Sequence, residues 1–200
     1  MTTTIISAFV TNLNAYNAGS LIGEWVTFPI TKETFEEVKQ HIEAKDNNVE
    51  LFNSDYDSSY INYLYRYLGE YANPSELNYL ASLLEELSDD ELEKLDVVCY
   101  LENPRSAAEV INIVNNLECY EYLPDVANEE DLGYYYIHES GIYTAEDLGV
   151  FANYIDYSAY GRDVAIDEGG TFTENGYIVQ TDSINNDYTG FDDIPEEYRL

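Results

Sequence analysis

Positive charge is scarce in this chain of 200 residues, which has 8 lysine and arginine residues against 40 aspartate and glutamate residues. The formal net charge of −32 opposes binding to nucleic acid and to anionic membranes, because both carry charge of the same sign. Residues 1–100 hold 18 acidic and 5 basic side chains, and residues 101–200 hold 22 and 3. The charge is therefore spread along the whole chain, which favours a basic partner over a solvated acidic tail.

Cysteines and long apolar runs are also few. Cys99 and Cys119 are the only cysteines, and two free thiols are favoured over one disulfide. No apolar run reaches the roughly 18 residues that a membrane-spanning helix needs. The first residues, MTTTIISAFV, lack the basic and apolar regions of a signal peptide. We expect a soluble, cytoplasmic protein without membrane association.

Motifs for catalysis and cofactor binding are absent. The sequence contains no GxSxG, P-loop, GxGxxG, HExxH or CxxC pattern. Its two histidines, His41 and His138, are more typical of surface or packing residues than of catalytic bases. Forty carboxylates produce many accidental acid pairs, so no pair identifies a hydrolase. We predict a protein that is not an enzyme and that binds neither a metal ion nor a cofactor.

The N-terminal part has the pattern of a small α+β unit. Hydrophobic residues make up 45 % of the chain, which is enough for a packed core. Runs of β-branched and aromatic residues at 4–10, 24–30 and 49–57 predict strands. Thr31 is a suitable cap for the helix that follows the second run. We expect the only tryptophan, Trp25, to belong to the scaffold of this unit.

More helices and one hairpin are predicted after residue 72. Three helices are predicted by a capping residue with a glutamate three residues later, followed by an apolar stripe. These caps are Asn73, Ser88 and Ser106. Residues 128–141 and 144–157 predict two further helices. The pair Asn175-Gly176, between β-branched and aromatic arms, predicts a hairpin.

These elements predict an α+β fold divided into three small subdomains. Residues 1–72 form an N-terminal α+β subdomain, 73–117 a central helical subdomain, and 118–181 a C-terminal α+β subdomain. Residues 182–200 are polar and acidic and lack apolar periodicity. They predict an acidic tail that is loosely held or disordered.

Tyrosine is unusually common, at 21 residues against 7 phenylalanines and 1 tryptophan. Stacking platforms for single-stranded nucleic acid use aromatic residues beside a positive groove, which this composition does not supply. Tyrosine provides core and interface area while its hydroxyl stays hydrated near the surface. Because tyrosine is also enriched at interfaces, we predict dimerisation through one of its clusters.

The charge has the magnitude needed to imitate nucleic acid. Duplex DNA carries one negative charge per about 1.7 Å of axis, so 32 charges correspond to about 54 Å of duplex. Carboxylates three or four residues apart on a helix lie about 5–6 Å from one another, which provides closely spaced anions on a rigid support. Fifteen acidic residues are our candidates for phosphate-mimicking contacts with a basic partner. They are Glu36, Glu37, Glu43, Asp55, Asp57, Glu85, Glu86, Asp89, Asp90, Glu93, Glu109, Glu129, Glu130, Asp147 and Asp156.

Two sequence stretches carry a family resemblance. NLNAYNAGSLIGEW (residues 12–25), followed by FPI, resembles the N-terminal signature of the ArdA family of antirestriction proteins. NYIDYSAYGRD (residues 153–163), followed by GTF (residues 170–172), resembles that family's C-terminal conserved stretch. The resemblance spans residues 5 to about 181 in the same order. DLGYYYIHESG (residues 131–141) is similar to the family's antirestriction motif.

The resemblance implies both an architecture and a function. The architecture is a curved, elongated chain of three subdomains, paired into a homodimer that mimics bent B-form DNA. The function is to occupy the DNA-binding groove of type I restriction–modification enzymes, in particular the methyltransferase core, and so to protect incoming mobile DNA in a bacterial host. The antirestriction motif is associated with the dimer contact. The dimer candidates are Tyr134, Tyr135, Tyr136, Ile137 and Glu139.

Three alternatives remain open from the sequence. The chain could be a DNA mimic directed at another basic DNA-binding protein, such as a nucleoid protein or a repressor. It could be an acidic binding domain or enzyme adapted to high salt, which would unfold in dilute buffer. A hydrolase that uses acid pairs ranks last, because no nucleophile or metal-binding motif supports it.

Overall fold

The computed structural model describes residues 5–44, 50–62 and 64–200. They belong to two compact units, one made of Met1–Leu117 with Asn185–Leu200 and the other of Glu118–Ile184. Each unit combines a three-stranded antiparallel sheet with helices. The predicted α+β class is confirmed. The boundaries of the three subdomains stay predictions.

The sheet of the first unit has the strand order β2-β1-β3. The central strand β1 (Ile6–Asn12) pairs antiparallel with β2 (Gly23–Phe28) and with β3 (Leu51–Asp57). These strands confirm the three predicted ones. The predicted strand starts at residues 4 and 49 lie outside the described residues.

Helix α2 (Lys32–Glu43) begins at the predicted cap, where the side-chain oxygen of Thr31 accepts the N–H of Thr34 at 3.3 Å. A five-residue helix α1 (Leu13–Asn17) links β1 to the loop before β2. Alternation along the strands and the 3.6-residue period of α2 bring one set of apolar side chains into the core. These buried residues are Ile6, Ala8, Val10, Val26, Phe28, Phe35, Val38 and Ile42.

Trp25 lies on the outer side of β2. Val26 and Phe28 are only 2 % exposed, so alternation turns Trp25 away from the core and leaves it 48 % exposed. Its ring packs against Phe9 at a centroid distance of 5.4 Å. Trp25 thus contributes to the scaffold through a cross-strand contact on the outer face of the sheet and not through the core.

Four helices complete the chain of the first unit up to residue 117: α3 (Leu64–Leu68), α4 (Pro74–Glu85), α5 (Asp89–Glu102) and α6 (Ala107–Asn115). The three predicted caps are confirmed, since Asn73, Ser88 and Ser106 each accept a backbone N–H of the first turn. At Ser88 the capping box is complete, because the Glu91 carboxylate accepts the Ser88 N–H at 2.9 Å.

The C-terminal segment, residues 185–200, is bound to the first unit. Asn112 of α6 accepts the Tyr188 N–H at 3.1 Å and donates to the Tyr188 carbonyl at 2.8 Å. One turn later, Asn116 makes the same pair of bonds with Asn185, each of 2.8 Å. The two amides thus bind the extended segment as a neighbouring strand would. The prediction of a loosely held tail is wrong, because its contacts are backbone bonds that apolar periodicity does not reveal.

Residues farther along the segment are held by α4. The Asn78 side chain donates to the Tyr198 carbonyl at 3.1 Å, and the Leu200 N–H donates to Ser75 Oγ at 2.9 Å. The Tyr79 ring lies between the rings of Tyr188 and Tyr198, at 5.9 and 5.6 Å. The segment therefore adds packing as well as five acidic residues to the first unit.

In the second unit, β6 (Gly176–Gln180) is central between β4 (Tyr120–Leu123) and β5 (Thr171–Thr173). The predicted hairpin is confirmed, with the turn at residues 174–175 and Gly176 already paired with Thr173. The Gly176 φ of 142° requires glycine, and a Cβ there would lie 2.5 Å from the Leu123 carbonyl oxygen.

The helices of the second unit are α7 (Glu129–His138), α8 (Ala145–Leu148) and α9 (Tyr157–Glu168). The predicted helix at 128–141 is confirmed as α7. The single helix predicted at 144–157 is wrong, because α8 ends at Leu148 and a 3-10 helix (Gly149–Tyr154) follows. Gly149 has a φ of 49°, which interrupts α8, and Asp156 caps α9 by accepting the Ala159 N–H.

Two glycines allow α7 and α9 to cross with their backbones in contact. A Cβ on Gly133 would lie 2.0 Å from the Tyr157 carbonyl oxygen, and one on Gly161 would lie 1.8 Å from the Glu129 carbonyl oxygen. Real Cβ atoms do not approach oxygens this closely, so either side chain would separate the helices. The sequence stretches at 131–141 and 153–163 thus supply the two sides of one tight helix crossing.

We expect Asn112→Ala to lower the free energy of unfolding by about 1–3 kcal/mol, because both backbone groups of Tyr188 lose their buried partner. Urea unfolding followed by circular dichroism measures the change. Asn115→Ala is the matched control, since Asn115 is exposed on the same helix. An equal effect of the two substitutions would contradict the role of Asn112.

We expect Gly133→Ala to destabilise the second unit by about 1–3 kcal/mol through overpacking. The sign is informative, since alanine normally stabilises a helix interior by about 1 kcal/mol relative to glycine. Hydrogen exchange of amides in α7 and α9 measures the loss, with Ser158→Ala at an exposed position of α9 as control. Slower exchange in Gly133→Ala would show that the crossing is not tight.

Candidate functional site

The predicted partner-binding carboxylates lie at the protein surface. Fourteen of the fifteen candidates are exposed, and the other, Glu36, is partly buried with an oxygen 2.8 Å from Lys39 Nζ. Helices α2, α4, α5, α6, α7 and α8 carry most of them, while Asp55 and Asp57 lie on the edge strand β3. Because none is buried, all are positioned where a partner could reach them.

The surface charge has too few counter-ions to be neutralised. Even if each of the 8 lysines and arginines paired with its own carboxylate, 32 carboxylates would have no cation. Arg199 is bound by backbone carbonyls instead, with Nε 2.8 Å from the Ile194 oxygen and a terminal nitrogen 2.9 Å from the Asp192 oxygen. The negative field is therefore a property of the folded surface.

Several candidate carboxylates have a local structural role. The Glu109 carboxylate accepts the Arg105 N–H at 2.7 Å, and Asp156 caps α9. Asp147 accepts both the N–H and the hydroxyl of Thr144, and these bonds hold the pKa of the Asp147 carboxyl below its usual range. For these residues, stability alone explains a carboxylate at the start of a helix.

Other candidates lie where a carboxylate is unfavourable. Glu43 ends α2, Glu85 ends α4, and Glu86 is the C-cap of α4. The C-terminus of a helix carries partial negative charge, so an anion there costs about 0.3–1 kcal/mol at low ionic strength. The last turn of α4 contains no basic residue to offset this cost. Folding does not account for these carboxylates, which supports a role in binding.

The dimer candidates lie on α7 and its C-cap. Tyr134 and Glu139 are exposed, Tyr135 and Tyr136 are partly buried, and Ile137 is buried within the unit. The Tyr136 hydroxyl donates to Glu168 of α9. The structure brings these residues together, and it uses part of them to pack α7 within its own unit.

Aromatic contacts also join α7 to α9. The Tyr134 ring lies 4.6 Å from the His138 ring and 5.7 Å from the Tyr157 ring. His138 Nε2 and the Tyr157 hydroxyl are hydrogen-bonded at 2.8 Å. His138 therefore has a structural partner on the neighbouring helix.

The second unit also has an exposed apolar group that is not among the predicted site residues. Its residues are between 60 % and 84 % exposed, although each is large and apolar or aromatic. They are Ile142, Val150, Phe151, Tyr154 and Ile166. The cue in the sequence was the adjacent pair Val150-Phe151, which lies within residues 144–157, where a helix is predicted.

The described residues offer little for metal or membrane chemistry. Among them, no three histidine, cysteine or acidic side chains are grouped so that they could hold a metal ion. Within the same ranges, no helix is long and apolar enough to cross a bilayer.

The chain matches the family model described as antirestriction protein (ArdA) over residues 8–179. The match includes both sheets almost entirely and all of the helices from α1 to α9. Residues 180–200, which contain the bound C-terminal segment, lie beyond it. No curated protein matches the chain.

Two glutamates of α2 test the cost of charge at a helix C-terminus. Glu33 is in the first turn and Glu43 is the last residue, and both are exposed. At low ionic strength we expect the Glu43→Gln variant to be more stable than the Glu33→Gln variant by about 1 kcal/mol in free energy of unfolding. Both substitutions remove one negative charge, but Glu43 opposes the helix dipole and Glu33 complements it. Thermal unfolding at low and high ionic strength measures this difference, which salt should reduce. A more stable Glu33→Gln would contradict it.

Proposed function

Because the chain belongs to the ArdA family of antirestriction proteins, we propose that it inhibits type I restriction–modification enzymes by binding in the DNA groove of their methyltransferase core. Its surface carboxylates take the place of DNA phosphates and meet the lysines and arginines of the groove. The inhibitor acts by occupancy and performs no catalysis. The proposal places it in the cytoplasm of a bacterial host, where it would protect incoming mobile DNA.

The observation that carries the proposal is the position of the carboxylates. They are exposed, they outnumber the cations fivefold, and some lie at helix C-termini where they oppose folding. The mutual repulsion of these carboxylates destabilises the folded chain. A cation-lined groove neutralises them, so the loss of this repulsion contributes favourably to the free energy of binding. A partner that lacks such a groove gives no comparable gain.

A direct test is competition between the protein and DNA for the methyltransferase core. We expect a bound complex that duplex DNA displaces, with the logarithm of the binding constant falling linearly with the logarithm of salt concentration. We expect Glu85→Gln and Glu86→Gln each to weaken binding less than about fivefold, because each exposed ion pair contributes little. Lys32→Gln is the control, because it removes an exposed cation and should therefore strengthen binding where the Glu→Gln substitutions weaken it.

Two results would refute this mode of binding. If DNA and the protein bound the enzyme simultaneously, the protein would not occupy the DNA groove. If one Glu→Gln substitution abolished binding, a discrete site would replace the shared electrostatic field.

We also propose that the protein is a homodimer formed through the second unit. The exposed group Ile142, Val150, Phe151, Tyr154 and Ile166 provides apolar area in the same unit as the dimer candidates Tyr134 and Glu139. Large apolar side chains left exposed are typical of protein interfaces, which supports a role for these residues in dimer contact.

We expect Phe151→Ser combined with Tyr154→Ser to convert dimers into monomers, because 73 % and 84 % of these side chains are exposed without a partner copy. Analytical ultracentrifugation over a range of protein concentrations measures the shift. Tyr100→Ser is the control, since Tyr100 is 60 % exposed on the first unit. Unchanged sedimentation of the double variant would place the interface elsewhere.

A further inference from the structure

Three exposed tyrosines lie close together on the first unit, and we call them the tyrosine patch: Tyr16, Tyr65 and Tyr71. They are 51 %, 43 % and 66 % exposed. The rings of Tyr16 and Tyr71 both lie against Phe52, at centroid distances of 5.2 and 6.4 Å, and Phe52 itself is buried. Tyr16 belongs to the sequence stretch at residues 12–25, to which phosphate mimicry gives no role.

Carboxylates border the tyrosine patch. The Tyr65 hydroxyl donates to Glu70 at 2.5 Å, and Glu70 directly precedes Tyr71. This hydrogen bond, with smaller effects of burial and of the Glu70 charge, raises the pKa of Tyr65 to about 12. Glu70 is thus held beside the patch by its hydrogen bond with Tyr65. Asp55 is exposed on β3, the strand that carries Phe52.

Buried asparagines hold two of the tyrosines in position. The Asn53 N–H donates to the Glu70 carbonyl at 2.7 Å and its side chain donates to the Ala72 carbonyl at 3.1 Å, which fixes the backbone on both sides of Tyr71. The Asn12 side chain caps the helix that carries Tyr16 by accepting the Ala15 N–H at 3.0 Å. Rings that are ordered before binding lose little conformational entropy when a partner arrives.

The rings of the patch lie at the surface, between 43 % and 66 % exposed. Two cations of the first unit contact rings outside the patch, Lys39 at Phe35 and Arg199 at Phe191. The patch thus combines exposed aromatic rings with bordering anions. An arginine fits this combination better than a lysine, because its planar guanidinium stacks on a ring and still donates to carboxylates.

We propose that the tyrosine patch binds arginine side chains of the protein partner, which stack on Tyr16 and Tyr71 and donate to Asp55 and Glu70. The inference rests on the proposed function, since the partner's basic groove supplies these arginines. It adds to that function a contact that DNA phosphates do not make. Ring stacking is less sensitive to salt than ion pairing, because it does not require release of counter-ions.

The test compares variants that keep or remove the rings. Tyr16→Leu with Tyr71→Leu retains apolar bulk without a π face, and Tyr16→Phe with Tyr71→Phe retains the face without the hydroxyl. Against the methyltransferase core, we expect the leucine pair to weaken binding about five- to thirtyfold and the phenylalanine pair to bind within about twofold of the unmodified protein. Tyr100→Leu is the control for an exposed tyrosine outside the patch.

The salt dependence separates stacking from phosphate mimicry. We expect the leucine pair to lower affinity by the same factor at all salt concentrations, whereas Glu85→Gln with Glu86→Gln reduces the salt slope. A leucine pair that binds like Tyr100→Leu would overturn the inference. A phenylalanine pair as weak as the leucine pair would also overturn it, because the hydroxyls would then make the contact.

Peptides make the test independent of the restriction enzyme. We expect an arginine-rich peptide to bind the unmodified protein about threefold or more tighter than a lysine-rich peptide of equal length and charge, and the leucine pair to lose that preference. If the unmodified protein binds the peptides with this preference but does not bind the methyltransferase core, the proposed function fails and the patch chemistry stands. If it binds the core and shows no arginine preference, only the patch inference fails.

Discussion

Repulsion among surface carboxylates is the constraint to which the rest of this structure responds. With 40 acidic and 8 basic residues, the compact state must be held by interactions that need no positive charge. Apolar packing supplies most of them, as in the cores beneath the two sheets. The helix C-termini show the cost directly, because glutamates lie at ends where a cation would stabilise the fold.

Asparagine side chains make the stabilising polar contacts that ion pairs make on proteins with balanced charge. An amide both donates and accepts without carrying charge, so it can fix a backbone segment in a strongly negative field. Asn112, Asn116 and Asn78 each use both functions to bind the C-terminal segment or the loop after β2. Asn53 holds the turn after α3 with its backbone and its amide. The same chemistry thus recurs wherever irregular chain has to be fastened to the first unit.

Local patterns predicted the regular elements, and non-local contacts explain what they missed. The caps at Thr31, Ser88 and Ser106 lie within three residues of their partners, so the sequence reveals them. The bound tail depends on partners 69 to 125 residues away, which no local pattern encodes. Exposure of most candidate carboxylates could be predicted from their polarity. The tyrosine patch could not, because it depends on how Phe52 is covered by distant rings.

Residues 185–200 are held in place by hydrogen bonds of neutral asparagine amides, so their attachment to the first unit does not depend on ion pairs. Ionic strength weakens attraction between opposite charges but leaves neutral amide bonds almost unchanged. On the proposed function, salt that weakens binding to the partner would therefore leave the terminal segment attached to the first unit.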